Sequence, residues 1–212
     1  MYLIANGGIN GYPKNTKESF LLSKFDMDID GVLIDVRMTN DSKLVLYEND
    51  LIMRNYYISK MNYEELKKIN IGNGINNYYV PLLEEILLYY DKDILIIKLH
   101  HNFDQNENLI LELKRILSKY YVKRLIVVVN NDNLYDYLKL LTNYEVYNLN
   151  NSDSFITIDA IATNYNGNLV HKLVSKNGNE IDQNKLFNNK NDIYKNYFIL
   201  TNNSKLLRNF YL

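Results

Sequence analysis

The apolar residues of this chain change period repeatedly, from short runs suited to strands to longer runs in which they recur every three or four positions. That alternation is the strongest constraint on the fold, because strand and helix segments in succession build a parallel sheet covered by helices. It predicts strands at 2–5, 32–36, 44–47, 94–99, 125–129, 146–149, 160–163 and 197–200. Several are almost wholly apolar, as strands covered on both faces should be. Helices are predicted at 82–90, 134–141, 169–176 and 204–211. Three more open on an N-cap followed three residues later by Glu, a pairing that satisfies two otherwise unpaired backbone N–H groups. These are Asn15 with Glu18, Asn62 with Glu65 and Asp104 with Glu107, the last leading a helix with Leu109, Leu113, Ile116 and Leu117 on one face. About eight strands with helices between them point to an α/β fold, a (β/α)8 TIM barrel, occupying 1–212 as one domain.

Two features break the rhythm. Segment 50–80 is long, polar and holds one short helix, so it is expected as an insertion above a strand end, where insertions are commonly functional. Segment 178–191 is polar, which makes the barrel irregular around its seventh strand. Lys+Arg 24 against Asp+Glu 25 gives a net charge of -1, so the bulk balance offers no footprint for nucleic acid or for an anionic membrane surface. With Cys 0, disulfides, thiolate metal sites and cysteine nucleophiles are excluded. No run approaches the roughly 20 apolar residues of a membrane span, and no basic region precedes an apolar leader. A soluble, cytoplasmic protein is expected.

The stretch Ile4-Ala5-Asn6-Gly7-Gly8, then Pro13-Lys14-Asn15-Thr16-Lys17-Glu18-Ser19-Phe20, resembles the opening I-A-H-R-G and P-E-N-T-x-E-S-F of the glycerophosphodiester phosphodiesterase family. Residues 31–41 (GVLIDVRMTND) resemble its G-A-D-x-I-E-x-D-V-x-L-T-x-D, and residues 44–54 resemble its L-V-V-x-H-D-x-x-L-x-R. Tyr63-Glu64-Glu65-Leu66-Lys67, Val80-Pro81-Leu82-Leu83-Glu84-Glu85-Ile86-Leu87, residues 94–98 and Phe198-Ile199-Leu200-Thr201-Asn202 follow in the family's order. The first half of the chain is densely covered and the second thinly; the family's Trp-Thr strand has no counterpart.

The resemblance implies a metal-assisted phosphodiester chemistry. In such chemistry carboxylates hold a divalent cation, and two histidines serve as acid and base. Most of those groups are replaced here. The first histidine position falls on Asn6 and the phosphate-contacting arginine on Gly7. The metal-binding Glu-x-Asp falls on Leu33 and Asp35, the fourth-strand Glu on Ile96, the second histidine on Glu48 and its neighbouring Asp on Asn49. Asp35 is the surviving family metal ligand. Residual Ca²⁺ or Mg²⁺ binding would rest on it, against two hydrocarbon neighbours that supply no oxygen, so no cofactor is expected.

Strand alternation puts Leu33 with Asp35, and Ile96 with Lys98 and His100, on common faces. An Asp35–Lys98 ion pair where the metal would sit is therefore expected in preference to a rebuilt metal site. Candidate catalytic residues are Glu48 and Lys98, and candidate ligand-binding residues are Asn6, Asn15 and Lys98, for a small phosphodiester or phosphoglycerol ligand. His100 and His101 are expected in a solvated loop, with a relocated acid or base as the alternative; His171 is expected on the surface of an outer helix. Paired tyrosines are expected to cap the core with one ring while the other reaches solvent, and Tyr56-Tyr57 and Tyr78-Tyr79 flank the insertion.

Three functions remain open from sequence. One is a pseudoenzyme that keeps the barrel as a binding module, with a place in lipid metabolism. The second is a divergent phosphoric diester hydrolase using Asp35, Glu48 and Lys98. The third is a structural subunit whose mouth is closed.

Overall fold

The structure is a computed structural model that describes residues 2–9, 11–26, 28–72, 74–100, 106–150, 155–165, 168–175 and 198–201, with the backbone alone for 155–175. Its strands are β1 (Tyr2–Asn6), β2 (Gly31–Met38), β3 (Leu44–Leu46), β4 (Leu51–Ile52), β5 (Tyr56–Tyr57), β6 (Ile94–Leu99), β7 (Arg124–Val129), β8 (Glu145–Asn148), β9 (Phe155–Tyr165), β10 (Asn168–Ser175) and β11 (Phe198–Thr201). The helices are α1 (Lys17–Phe25), α2 (Tyr63–Leu66), α3 (Leu83–Leu87), α4 (Asn106–Leu117) and α5 (Asp132–Leu141). Parallel pairing runs β9-β11-β1-β2-β6-β7-β8, a curled α/β sheet of the TIM-barrel type.

Two apolar layers hold it. Between sheet and helices pack Val32, Ile34, Val36, Leu95, Ile97, Val127 and Val129 against Leu109, Leu113, Ile116, Leu134 and Leu138. Inside the curl, the alternate residues Ile4, Leu33, Ile94, Ile96, Ile126, Val128, Phe198 and Leu200 form a second cluster. Both faces of β2, β6 and β7 are thus apolar, which is why their sequences read as continuous hydrophobic runs.

Four expectations are corrected. The 44–47 strand is not a barrel stave: β3 lies antiparallel on β2, Val36 opposite Leu46. The helix expected at 169–176 is β10, paired antiparallel with β9 from Asn168 opposite Tyr165. Its apolar residues fit either period, but the β-branched Val170 and Val174 favour a strand, and Asn166-Gly167 before it is a strong hairpin signal. His171 accordingly lies on a strand. Asn15 does not cap α1; Thr16 does, accepting from the Ser19 N–H at 3.2 Å. Segment 50–80 is not one short helix in a polar loop: β4 and β5 form a hairpin, a 3-10 turn follows at Ile58–Lys60, and Val45, Ile52, Ile58, Leu66 and Val80 give the segment its own core. Asp104, His101, 178–191 and 204–211 lie outside the described residues.

Candidate functional site: a closed charge cluster at the strand ends

β2 and β6 run side by side in a register that sets Leu33 beside Ile96 and Asp35 beside Lys98; Ile126 and Val128 continue these rows on β7. Leu33 and Ile96 are fully buried in the inner apolar cluster. One step nearer the C-terminal strand ends, Asp35 is 3 % exposed and all its polar atoms have partners. Its Oδ1 meets His100 Nε2 at 2.8 Å and Lys98 Nζ at 3.5 Å. Its Oδ2 accepts from Asn15 Nδ2 at 3.0 Å, and Asn15 Oδ1 accepts from the Asp35 N–H at 2.9 Å.

Asn15 makes this double contact because it is turned left-handed, at φ 60, in the loop after β1. Asparagine adopts that conformation more readily than most residues, since its short polar side chain bonds locally. The loop is itself held tight. Gly7 sits at φ 73, its carbonyl accepting from the Asn15 N–H at 2.8 Å and from Ser19 Oγ at 3.0 Å. A Cβ on Gly8, at φ 95, would lie 2.0 Å from Ser19 Oγ, so the backbone approach there requires glycine.

Arg37, two residues beyond Asp35 on the same face of β2, completes the cluster. Its Nη2 and Nε donate to the Glu48 carbonyl at 2.8 and 3.1 Å, and Nη2 lies 3.3 Å from His100 Nδ1. A guanidinium has no acceptor, so Nδ1 must be the unprotonated ring nitrogen. In that arrangement Nε2 donates to Asp35, and the ring is oriented from both sides.

Burial alone would raise the Asp35 pKa, but the His100 hydrogen bond, the Lys98 charge and the Asn15 amide outweigh it and leave the carboxyl below its ordinary value. Burial pushes the Arg37 guanidinium down, opposed by Asp50, Asp35 and Glu48. It stays charged, with the carboxylates of Asp50, Asp35 and Glu48 around it.

The predicted Asp35–Lys98 pair is present. His100, expected in a solvated loop, is instead within the cluster; the alternation that groups it with Lys98 was the usable signal. Arg37 was missed, although a basic residue in the same alternation as Leu33 and Asp35 could have flagged it. Glu48 is exposed and enters through its carbonyl, not its carboxylate, while Asn6 ends β1 opposite Leu33. A divalent cation does not fit this donor set. Both Asp35 oxygens are engaged, two cations adjoin it, Leu33 and Ile96 offer no oxygen, and no group of three or more His, Asp or Glu gathers among the described residues.

The whole architecture has close counterparts among solved proteins. A glycerophosphodiester phosphodiesterase from Parabacteroides distasonis superposes with a TM-score of 0.70, covering 99% of this chain and 96% of its own at 17% identity. The chain has the fold of the glycerophosphodiester phosphodiesterases. An Oleispira antarctica phosphodiesterase, solved in complex with the product sn-glycerol-3-phosphate, shares that fold at a TM-score of 0.67 and 19% identity, over 100% of this chain and 90% of that one. In sequence, an uncharacterized protein of Mycoplasma genitalium is 27% identical over 130 residues, 57% of this chain. The chain spans 55% of that relative's length, and 65% of a structure from Silicibacter pomeroyi matched at a TM-score of 0.61. No protein-family profile matches the chain. Within the glycerophosphodiester phosphodiesterase fold, the strand-end position is where TIM-barrel chemistry is built.

Proposed function

We propose that this protein is a glycerophosphodiester phosphodiesterase-like barrel that binds a phosphodiester or phosphoglycerol group without metal-dependent hydrolysis. The observation that carries the proposal is the closure of Asp35 by Asn15, His100 and Lys98 above the hydrocarbon of Leu33 and Ile96. A cation would have to displace these partners and would gain one carboxylate. Lys98 and Arg37 instead offer N–H donors that suit an anion, with Asn6 and Asn15 at the edge. The protein is expected to act in lipid metabolism, in the cytoplasm.

Two measurements test this. Titration with sn-glycerol-3-phosphate is expected to show binding that Lys98→Ala weakens by about tenfold or more. Glycerol 3-phosphate release from glycerophosphocholine or glycerophosphoethanolamine, with Ca²⁺ or Mg²⁺, should not exceed that of Asp35→Ala; clear metal-dependent turnover above that control would overturn the proposal.

One contact favours a second function, a divergent phosphoric diester hydrolase using Asp35, Glu48 and Lys98. The 2.8 Å Asp35–His100 bond orients an imidazole at a strand end, and the Glu48 carboxylate stands exposed beside Arg37. Under it, hydrolysis of an activated phosphodiester would proceed without metal and fall at least about a hundredfold in Glu48→Gln. Unchanged turnover in that variant would exclude it.

A further inference from the structure

The insertion carries a feature the phosphodiester site does not use. In the described tyrosine pairs Tyr78-Tyr79, Tyr89-Tyr90 and Tyr120-Tyr121, one ring packs toward the core and the other faces solvent. Tyr56-Tyr57 departs from this pattern, with both rings about half exposed at 53% and 45%. They form β5, opposite β4, and Leu51 and Met53 stand out beside them at 43% and 56%. The hairpin is firmly founded all the same. Ile52 and Ile58 are fully buried in the insertion's own core, Asp50 holds Ser59 by two hydrogen bonds, and the Ile58 N–H donates to the Asp50 carbonyl.

Met53 is left-handed at φ 52, a conformation that Gly or Asn adopts more readily. A flexible apolar side chain is thus held out on the turn, at a position whose left-handed backbone Asn or Gly would adopt at lower cost. The charge follows the same layout. Residues 51–63 contain Arg54 and Lys60 and no acidic residue, and Lys60 Nζ lies 5.0 Å over the Tyr57 ring. Glu48, three residues before the hairpin, is the residue whose carbonyl Arg37 holds, so hairpin and charge cluster lie at the same end of the barrel.

We propose that the β4–β5 hairpin is a membrane-docking element, which seats Leu51, Met53, Tyr56 and Tyr57 in the headgroup region of an anionic phospholipid surface. Exposed apolar side chains and amphipathic rings accompanied by cations, here Arg54 and Lys60, are the composition that partitions into that region. The near-zero net charge of the chain averages this local excess away. Docking needs no spanning segment, in keeping with the absence, among the described residues, of a helix long and apolar enough to cross a membrane.

The test is sedimentation of the full chain with vesicles of equimolar phosphatidylcholine and phosphatidylglycerol. The wild type is expected to co-sediment, less so as salt rises, and the combined substitution Leu51→Gln, Met53→Asn, Tyr56→Gln to bind at least about tenfold more weakly. These are exposed positions, and asparagine at 53 suits the left-handed turn, so the variant is expected to fold. The chain has no tryptophan, so Tyr56→Trp supplies a single reporter whose emission should shift to the blue on vesicles and stay unchanged with soluble sn-glycerol-3-phosphate. Lys98→Ala should sediment like the wild type while losing the soluble ligand, so the docking proposal and the proposed phosphodiester site fail separately. Wild-type protein that stays in the supernatant, an unshifted Tyr56→Trp spectrum, or self-association abolished by the combined variant would each overturn membrane docking.

Discussion

The two ends of the sheet's interior both hold a partly buried cation next to a carboxylate, and they solve the problem differently. At the N-terminal strand ends, Arg124 grips Glu145 through two hydrogen bonds of 2.7 and 3.0 Å, and Tyr147 donates to the same carboxylate at 2.8 Å. Arg124 also lies 5.4 Å from the Tyr2 ring and 5.2 Å from that of Phe198, which stack on each other at 5.6 Å. That end is a plug, one cation to one carboxylate, with the guanidinium faces covered by rings. At the opposite end Asp35 is held by His100, Lys98 and Asn15, and Arg37 packs against the far side of the imidazole. The difference is one of composition: a bidentate ion pair covered by rings at one end, and one carboxylate shared by an imidazole, an ammonium and an amide at the other.

This contrast can be broken most forcefully at the floor of the opening. Ile96→Glu puts a carboxylate where the surroundings are hydrocarbon, and a loss of roughly 4 kcal/mol is expected without metal, with partial recovery in Ca²⁺. Thermal unfolding with and without the cation reads both, and an unchanged midpoint would mean the floor is wet.

Asp35→Ala removes the one carboxylate that Lys98, Arg37 and His100 share, for an expected loss of about 3 kcal/mol in urea unfolding at neutral pH. Because the folded Asp35 carboxyl has a lowered pKa, its contribution is complete above the unfolded value of about 3.9 and disappears as pH falls through the folded one. Wild type and variant should therefore converge in strong acid, and a constant difference down the titration would contradict the network.

At the plug, Arg124→Ala should cost about 2 kcal/mol, since both ring contacts and the bidentate pair go, and Arg124→Lys should recover little of it. The smallest effect is expected from Glu145→Gln. With the two side chains 28% and 33% exposed, about 1 kcal/mol is appropriate, and a larger loss would make the plug as demanding as the opening.

Much of this contrast could be read from residue order. Near-continuous apolar strands gave the parallel sheet, and alternation along β2 and β6 set Asp35 beside Lys98 over Leu33 and Ile96. What could not be read depended on pairing between distant segments. Nothing local tells that 44–47 folds back antiparallel on β2, and at 169–174 the strand signals of Val170, Val174 and the preceding Asn166-Gly167 compete with an apolar spacing that fits a helix equally well. His100 sits just past the last residue of β6; alternation groups it with Lys98, but the contacts that hold it, to Asp35 and Arg37, come from the neighbouring strand. Arg37 shares the alternation of Leu33 and Asp35, but its bond to the Glu48 carbonyl depends on where the next loop lies. Asn15 looked like a helix cap because its sequence neighbours fit one, and the neighbouring Thr16 fills that role.

That same asparagine has a consequence for how opening of the site can be observed. β1 ends at Asn6 and β3 takes up that edge of β2 only from Val36, so in the gap between them Asn15 Oδ1 takes the Asp35 N–H in place of a backbone carbonyl. Hydrogen exchange at the Asp35 amide therefore follows the excursions of the loop after β1, whereas amides paired between β2 and β6 exchange only when the sheet parts. A single amide, slowed by ligand and hastened in Asn15→Ala, reports how often the site opens without any ligand signal being recorded.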